Sequence, residues 1–549
     1  MRRYRGEILI SLLVFGIVLA VFGPVVGAEF VAWDDDVLLY DNPHLTGLGG
    51  EALRWMWGAF DYVVRYQPLT WMTWGVIFAV SGRAPAAYHA ANLVFHALNA
   101  VLVFLLLRRL LTLSGHETSA RGPTRDALVA SAAGALFWAL HPLRVETVAW
   151  ASALLHAQAI FFLLVSALSY VEAASRSRRW LFLVSVVAYA ASLFSYPVGL
   201  GFPAVLVVLE IYPLRRFGAG RSLRVWARQV PFVAVAGVCV GITLWARMHV
   251  AGGWMEAAPW SEFGPAHRVM QAAYVWACYL WKPFLPFPLA PVYTPLLSFQ
   301  PGDAAFVASL VFLVAITVWV WVERRAWPAA LPLWASYLAL LVPFLGLTEH
   351  PHYANDRYSN LGGIVLSLAG VAAVLHWCRE PGARRLALGA ALGLIAGCAA
   401  LSAAQVKVWR NSEALFRHTI ATLGSDPYRA DLHWRLGRLY VAQGRNQDGL
   451  AQLITALRIA PDFAEAHFDL GVAWEKLGRK ADAATEYERA LRLKPQYAEA
   501  HYRLALLLRE RGEASSALAH LRQALAADPR HARARQRLQE WENPGGRVL

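Results

Sequence analysis

Residues 427–528 fall into three lines of equal length: PYRADLHWRLGRLYVAQGRNQDGLAQLITALRIA (427–460), PDFAEAHFDLGVAWEKLGRKADAATEYERALRLK (461–494) and PQYAEAHYRLALLLRERGEASSALAHLRQALAAD (495–528). Each opens on a proline (Pro427, Pro461, Pro495), and Pro529 starts a fourth at the same 34-residue interval. Self-similarity at this period means a stack of helix pairs, none of which can bury its apolar face alone. Leu436, Gly437 and Tyr440 recur as Leu470, Gly471 and Trp474, and then as Leu504, Ala505 and Leu508. The second helices carry Ala456, then Ala483, Tyr487 and Ala490, then Ala517 and Ala524. Small residues let paired helices approach, large ones fill between pairs, and Gly444, Gly478 and Gly512 end each first helix.

The period is that of the tetratricopeptide repeat. It predicts three full repeats over 427–541, a tail 542–549, a connecting helix within 407–426, and a helix near Trp409–Ile420 packing ahead of the repeats. Such a solenoid offers a concave surface to an extended peptide or partner protein. His433, Tyr440, His467, Trp474 and His501 are the candidates for that face. The histidines recur with the repeat, but neighbouring repeats lie too far apart to share a metal. Packing is the better account of them.

Upstream the composition changes. Of 549 residues, 57% are hydrophobic and 16% charged, 23 are Trp, and the mean hydropathy is +0.39. Residues 407–549 hold 23 of the 51 basic and 17 of the 37 acidic residues, so the first 406 are far more apolar than the average suggests. Disorder and a fibrous fold are excluded, and the contrast is that of a membrane domain, 1–406, followed by a soluble one. The fold class is therefore all-α, a polytopic helix bundle and then an α-solenoid. The net charge of +14 does not imply a nucleic-acid partner, because the basic residues upstream cluster between apolar runs. Cys239, Cys278, Cys378 and Cys398 lie far apart in or beside apolar segments and show neither metal-ligand spacing nor a disulfide framework.

A spanning helix needs about 20 apolar residues. Eleven spans are expected, near 7–26, 87–107, 127–141, 152–172, 180–196, 198–213, 229–247, 303–322, 327–346, 359–377 and 385–405. With the N-terminus cytoplasmic, 20 of the 28 basic residues of this part face inward: Arg2, Arg3, Arg5, Arg108, Arg109, Arg121, Arg125, Arg176, Arg178, Arg179, Arg215, Arg216, Arg221, Arg224, Arg228, Arg324, Arg325, Arg379, Arg384 and Arg385. Asp34, Asp35, Asp36, Asp41, Glu146, Glu349 and Asp356 then fall outside. An odd span count puts the repeats outside as well, in a multi-pass protein of a bacterial inner membrane. Val269–Phe287, with Lys282-Pro283, Pro286, Pro288 and Pro291, suits an interfacial or re-entrant segment better than a twelfth span. Val26-Gly27-Ala28 resembles a signal-peptide cleavage site, but the apolar run before it is long for one.

The chemistry gathers on the expected outer side. Asp34-Asp35-Asp36 follows Trp33 just beyond the first span, where partial desolvation would make a carboxylate a better base; the plain alternative is a solvated acidic loop. His141-Pro142-Leu143-Arg144-Val145-Glu146 and Asn355-Asp356-Arg357-Tyr358 border the same side and suggest a pocket for a polar lipid head group. His89, Asn92, His96 and Asn99 share one helical face and are expected to hydrogen-bond between helices.

Six segments together resemble the transmembrane and tetratricopeptide-repeat O-mannosyltransferase family and its bacterial relatives. They are FVAWDDDVLLYDNP (30–43), YQPLTWMTW (66–74), YHAANLVFHALNA (88–100), HPLRVETVAW (141–150), NDRYSNL (355–361) and VWRNSEALFRHT (408–419). The resemblance implies a GT-C membrane glycosyltransferase fold with a catalytic first outer loop, 28–86, and a polyprenyl- or dolichyl-phosphate sugar as donor. By position, Asp34 and Asp35 match the family's acidic pair and Asn42 follows at its interval. Glu146 matches the acidic residue of the histidine-proline loop, and Arg357 the arginine between Asp356 and Tyr358. Where the family has an arginine and an aspartate soon after Trp150, this chain has Leu154 and His156.

The resulting expectation is an inverting transferase that moves mannose or a similar sugar from a polyprenyl-phosphate carrier to Ser or Thr hydroxyls of an extracytoplasmic protein. Asp35, Asp34 and Glu146 are the catalytic candidates. Arg357, Asp356, His141 and Tyr358 are the candidates for the lipid phosphate. No tightly bound cofactor is expected, and the donor sugar, the acceptor and a divalent metal are left open. The competing readings are a ligase or polymerase for lipid-linked oligosaccharides and a non-enzymatic anchor that displays the repeats.

Overall fold

The computed structural model of the chain describes residues 5–60, 62, 66–115, 125–217, 222–249, 259–347, 351–378 and 380–542. Arg2, Arg3, Arg121, Arg221, Glu349, Arg379 and the tail from 543 onward lie outside them. The chain divides into two compact units, Met1–Asn411 and Ser412–Leu549. The described residues are helical throughout, apart from a single antiparallel bridge between Tyr293 and Ala354.

The first unit holds fifteen α-helices: α1 (Arg5–Phe22), α2 (Gly50–Gly58), α3 (Pro68–Ser81), α4 (Pro85–Leu113), α5 (Arg125–Ala139), α6 (Val145–Ala149), α7 (Leu154–Arg176), α8 (Arg179–Ser195), α9 (Phe202–Ile211), α10 (Ser222–His249), α11 (Pro265–Trp281), α12 (Ala304–Glu323), α13 (Ala330–Leu341), α14 (Ser359–Trp377) and α15 (Pro381–Val406). Seven helical stretches are long and apolar enough to cross a membrane, or eight if Asp126–Ala139 and Pro142–Ala149, bent by 57°, are one span. Among the described residues, eight of the eleven expected spans meet this measure when the bent pair is counted as one. The segments expected at 180–196, 198–213 and 327–346 form only the shorter apolar helices Arg179–Ser195, Phe202–Ile211 and Ala330–Phe344. Leu9, Leu12, Val187, Val311, Trp321 and Leu386 stand exposed on their helices, as side chains facing lipid would.

Helix α4 lies at the centre, packed on α1, α5 and α7. Its polar stripe answers backbone groups that helix breaks leave open. Asn92 Nδ2 donates to Trp150 O at 2.6 Å, and Asn99 Nδ2 to Ala157 O at 2.8 Å. His96 Nε2 meets Ala139 O at 2.9 Å and His89 Nε2 meets Glu29 O at 3.3 Å. Ala139 closes α5, where the last carbonyls have no partner in their own helix and an apolar interior offers none; at Trp150, whose carbonyl already accepts Ala153 N–H at 3.0 Å, Asn92 adds a second donor. The expected interhelical bonding is therefore present, directed at backbone rather than at other side chains.

Helix α11 is not among the stretches long and apolar enough to cross. Tyr274 stacks on Phe306 at the start of α12, 4.7 Å between centroids, and Tyr279 donates to Asn355 O at 2.6 Å. The chain then turns back through its prolines to the bridge at Tyr293.

In the second unit, α16 (Ser412–Thr422) precedes the pairs α17 (Arg429–Ala442) with α18 (Asn446–Ile459), α19 (Ala464–Lys476) with α20 (Lys480–Leu493), and α21 (Ala498–Glu510) with α22 (Ala514–Ala527). Helix α23 (Ala532–Glu542) closes the stack. The three repeats are those read from the sequence. The connecting helix expected within 407–426 is instead two pieces: a 3-10 turn, Lys407–Trp409, in the first unit and α16 in the second. Tyr440 binds α16, donating to Glu413 at 2.9 Å and accepting from Arg417. Gly444, Gly478 and Gly512 take φ of +79°, +78° and +86° at the ends of their first helices, the left-handed cap that glycine adopts at least cost.

Removing the Asn92 donor while keeping its bulk should cost about 0.5–1.5 kcal/mol, the net worth of one hydrogen bond, because the Trp150 carbonyl keeps its bond from Ala153 N–H. Asn92→Leu is expected to lower the melting temperature of the detergent-solubilised protein without changing its helix content.

Candidate active site

The acidic loop begins with strain. Asp34 has φ of +87°, a left-handed value uncommon outside glycine, and its carbonyl accepts from Leu38 N–H at 2.8 Å as the chain enters the π-helical turn Asp36–Tyr40. That turn carries Asp35 inward and leaves Asp34 and Asp36 half-buried. Asp35 is fully buried, and both its oxygens are occupied. Oδ2 accepts Val31 N–H at 2.9 Å; Oδ1 accepts Ser152 N–H at 2.9 Å and also the Ser152 hydroxyl. Ser152 stands in the 3-10 turn Ala151–Ala153 that opens α7, so the carboxylate satisfies donors at a helix start. Burial pushes the Asp35 carboxyl up to about 7, against the hydrogen bonds that favour its charged form. Asn42, also fully buried, ties the loop down by donating to Leu38 O and accepting from His44 N–H. The loop's far end seats on α3: a Cβ on Gly75 would stand 2.9 Å from the Gly47 carbonyl.

The same segment holds the second constellation. Glu146 is buried and engages Arg357 twice, Oε2 accepting the Arg357 backbone N–H at 2.9 Å and Oε1 pairing with its guanidinium. That guanidinium lies 4.9 Å from the Trp150 ring centre and 5.3 Å from that of Tyr358. Asp356 accepts the Tyr293 hydroxyl at 2.5 Å. His141 Nε2 meets Pro283 O at 2.8 Å, and its Nδ1 accepts Leu143 N–H. His156, at the departure from the family pattern, lies 4.5 Å from the Tyr196 ring and 6.5 Å from that of Tyr358.

Two cations escaped the sequence reading. Arg144 is buried; it donates to Ser359 Oγ at 2.5 Å while its Nε and Nη1 have no hydrogen-bond partner among the described residues. Lys282 is buried too, 3.9 Å from the Tyr293 ring centre and bonded to Pro288 O at 3.1 Å. A buried arginine in a histidine-proline loop reads in sequence like any surface cation. Its signal was only its position between His141 and Glu146. An apolar cavity of about 680 Å³ runs between α5, α12, α13, α14 and α15; Trp281 and Pro283 on either side of Lys282 line it.

The predicted site residues of the first unit therefore come together on one segment, residues 141–153, which holds Arg357 through Glu146 and Asp35 through Ser152. The roles differ from those expected. Arg357 is already neutralised by Glu146, and Asp35 has no free oxygen, whereas Asp34 is the more accessible carboxylate of the pair. Among the described residues no group of three or more His, Cys, Asp or Glu side chains could hold a metal ion.

The predicted peptide-binding face needs correction. His433, His467, His501 and Tyr440 are buried within the solenoid, and of those five residues only Trp474 is partly open. Each histidine bridges the two helices of its own repeat. His433 Nδ1 meets Gln452 Oε1 at 2.8 Å, His467 Nδ1 meets Glu486 Oε2 at 2.6 Å, and His501 Nδ1 meets His520 Nδ1 at 2.9 Å. A large polar ring at this slot fills space and closes the pair, and His467 also lines a cavity of about 610 Å³ with Asp462, Trp474, Arg489 and Arg492.

Residues 435–498 and 498–531 match tetratricopeptide-repeat families, so the C-terminal part of the chain is a tetratricopeptide solenoid. No curated protein matches the chain. Among solved structures, the first such domain of Spaghetti (RPAP3), bound to an HSP90 peptide, is 18% identical over 22% of this chain and 94% of its own, at a TM-score of 0.21. MamA is 27% identical over 24% and 81%, at 0.22. The APC/C hetero-tetramer Cut9-Hcn1 is 15% identical over 89% and 92%, at 0.24. Scores this low carry no argument about the first 411 residues or about what the repeats bind.

Because the Asp35 carboxyl titrates near 7 in the folded chain and near 3.8 when exposed, the folded state holds its proton longer. The stability from that proton is complete below about pH 4 and is lost as pH rises through about 7. Asp35→Asn removes this dependence. Its melting temperature relative to wild type is expected to be more favourable at pH 8 than at pH 5, measured by thermal unfolding across that range.

Proposed function

We propose that the protein is a membrane glycosyltransferase that inverts the configuration of its donor, taking a sugar from a polyprenyl-phosphate carrier and placing it on a Ser or Thr hydroxyl of a polypeptide. The observation that carries this reading is that one segment holds the acidic pair and the Glu146–Arg357 pair together. A transferase of this kind needs a carboxylate on one side of the anomeric carbon and positive charge on the other. The order and spacing of the six resembling segments support the same reading.

In this mechanism the acceptor oxygen attacks the anomeric carbon as its proton passes to Asp34, and the bond from that carbon to the phosphate oxygen breaks with both electrons going to the lipid phosphate. Asp35 keeps the loop in register and is a positioning residue. Arg144, Lys282 and Arg357 outnumber Glu146 and Asp356 by one positive charge when all are ionised. They stabilise the leaving phosphate. The apolar cavity beside Lys282 suits an isoprenoid chain entering from the bilayer. The repeats, on the extracytoplasmic side, gather the polypeptide acceptor through surfaces other than the buried histidines.

Purified protein given radiolabelled polyprenyl-phosphate mannose or glucose should label Ser/Thr peptides. Asp34→Asn should lose about 10²–10⁴-fold in kcat, the usual contribution of a general base, with donor affinity little changed, while Asp36→Asn stays near wild type. Transfer only to lipid-linked glycans would make the protein a ligase. No transfer to any acceptor would leave the anchor reading. The sidedness has its own check: Thr485→Cys, exposed on α20, should react with a membrane-impermeant thiol reagent in intact cells, and reaction only after lysis would place the repeats in the cytoplasm.

A further inference from the structure

Helix α3 has a face that no described residue answers. Gln67, immediately before Pro68, is fully buried, and neither its Nε2 nor its Oε1 has a hydrogen-bond partner among the described residues. One and two turns on, along the same side, Trp71 and Trp74 are fully buried with unpartnered indole N–H groups. Their neighbour Thr70 shows the usual solution, donating to Ser195 O at 2.9 Å. A buried polar group left unpaired costs about 1–3 kcal/mol, and most proteins tolerate few of them. Three on consecutive turns of one helix face require an explanation.

The face adjoins the site. Trp71 and Trp74 belong to the cluster formed by Leu38 and Leu39, in the turn after the acidic pair, and by Ala151, Leu154 and Leu155 around Ser152. The Trp71 ring also lies edge-on to Trp55 at 5.0 Å and to Tyr62 at 5.7 Å. The unanswered groups are one amide, which both donates and accepts, and two donors, set among aromatic rings. A pyranose has the matching chemistry: adjacent hydroxyls that donate and accept around its rim, and an apolar C–H face that packs on an aromatic ring.

We propose that the Gln67–Trp71–Trp74 face of α3 reads the hexose of the donor. Gln67 spans two adjacent hydroxyls, and so distinguishes epimers. Rejection by a site built to hydrogen-bond a hydroxyl is strong because the wrong epimer leaves the amide unpaired again. This inference rests on the transferase reading and adds to it the residues that choose the sugar.

The test compares kcat/KM for polyprenyl-phosphate mannose and polyprenyl-phosphate glucose, which differ at one hydroxyl, with the same acceptor peptide. Wild type is expected to prefer one of them, and Gln67→Met, similar in volume but without the amide, should reduce that preference at least about tenfold. The melting temperature of the ligand-free variant should be unchanged or higher, because no unmet polar group remains at that position. Trp71→Phe, which keeps a ring and removes the donor, should lower kcat/KM for the preferred sugar more than for its epimer. If Gln67→Met does not accumulate in membranes, Gln67→Glu, which keeps the shape and loses the donor, carries the same comparison. A preference within twofold of wild type in these variants, or a wild type that does not distinguish the two sugars, overturns the inference and leaves the transferase reading standing. A wild type that transfers neither sugar overturns both.

Discussion

A carboxylate sealed from water must have its oxygens answered by the protein, and the Asp35 side chain meets that requirement with Val31 on its own loop and Ser152 at the start of α7. The rest of the site follows from this. The bond draws the acidic loop down onto the helix start, fixes the turn that leaves Asp34 at the surface, and sets the height of the segment between His141 and Ala153. Glu146 and Trp150 hang from that segment and hold Arg357 from two directions. The acidic loop and Arg357 are thereby both anchored to the same short segment.

The parts of the fold that a repeat or a run of apolar residues announces were legible in the sequence. The prolines at 34-residue intervals gave the solenoid and its three repeats, because each interval encodes a unit that packs only on its neighbours. The polar stripe of α4 was legible as interhelical bonding. Three of the expected spans come from apolar runs that form the shorter helices Arg179–Ser195, Phe202–Ile211 and Ala330–Phe344, and hydropathy does not register where a helix ends.

For the site, the residues were legible in the sequence, while their burial and their partners were not. Asp35 and Asp34 are neighbours in the chain, yet a single left-handed φ turns one inward and the other outward. The repeat histidines recur because the slot they fill recurs, and each packs between the two helices of its own repeat, as their period implied. Arg144 and Lys282 were visible only by position, in the histidine-proline loop and before Pro283, since whether a cation is buried depends on what folds over it. Gln67 is similar: beside a proline, at a helix start, it reads as a surface residue.

The donors along α4 are spaced by the turns of that helix, while the carbonyls they meet are spaced by the breaks around residues 139–157. Two different rulers have to agree at three marks. Inserting or deleting one residue between 139 and 157 would rotate the following carbonyls by about 100° and misalign Asn92 and Asn99 at once. The length of this stretch is therefore held as firmly as the side chains it carries, and variation in chain length must be absorbed elsewhere in the bundle.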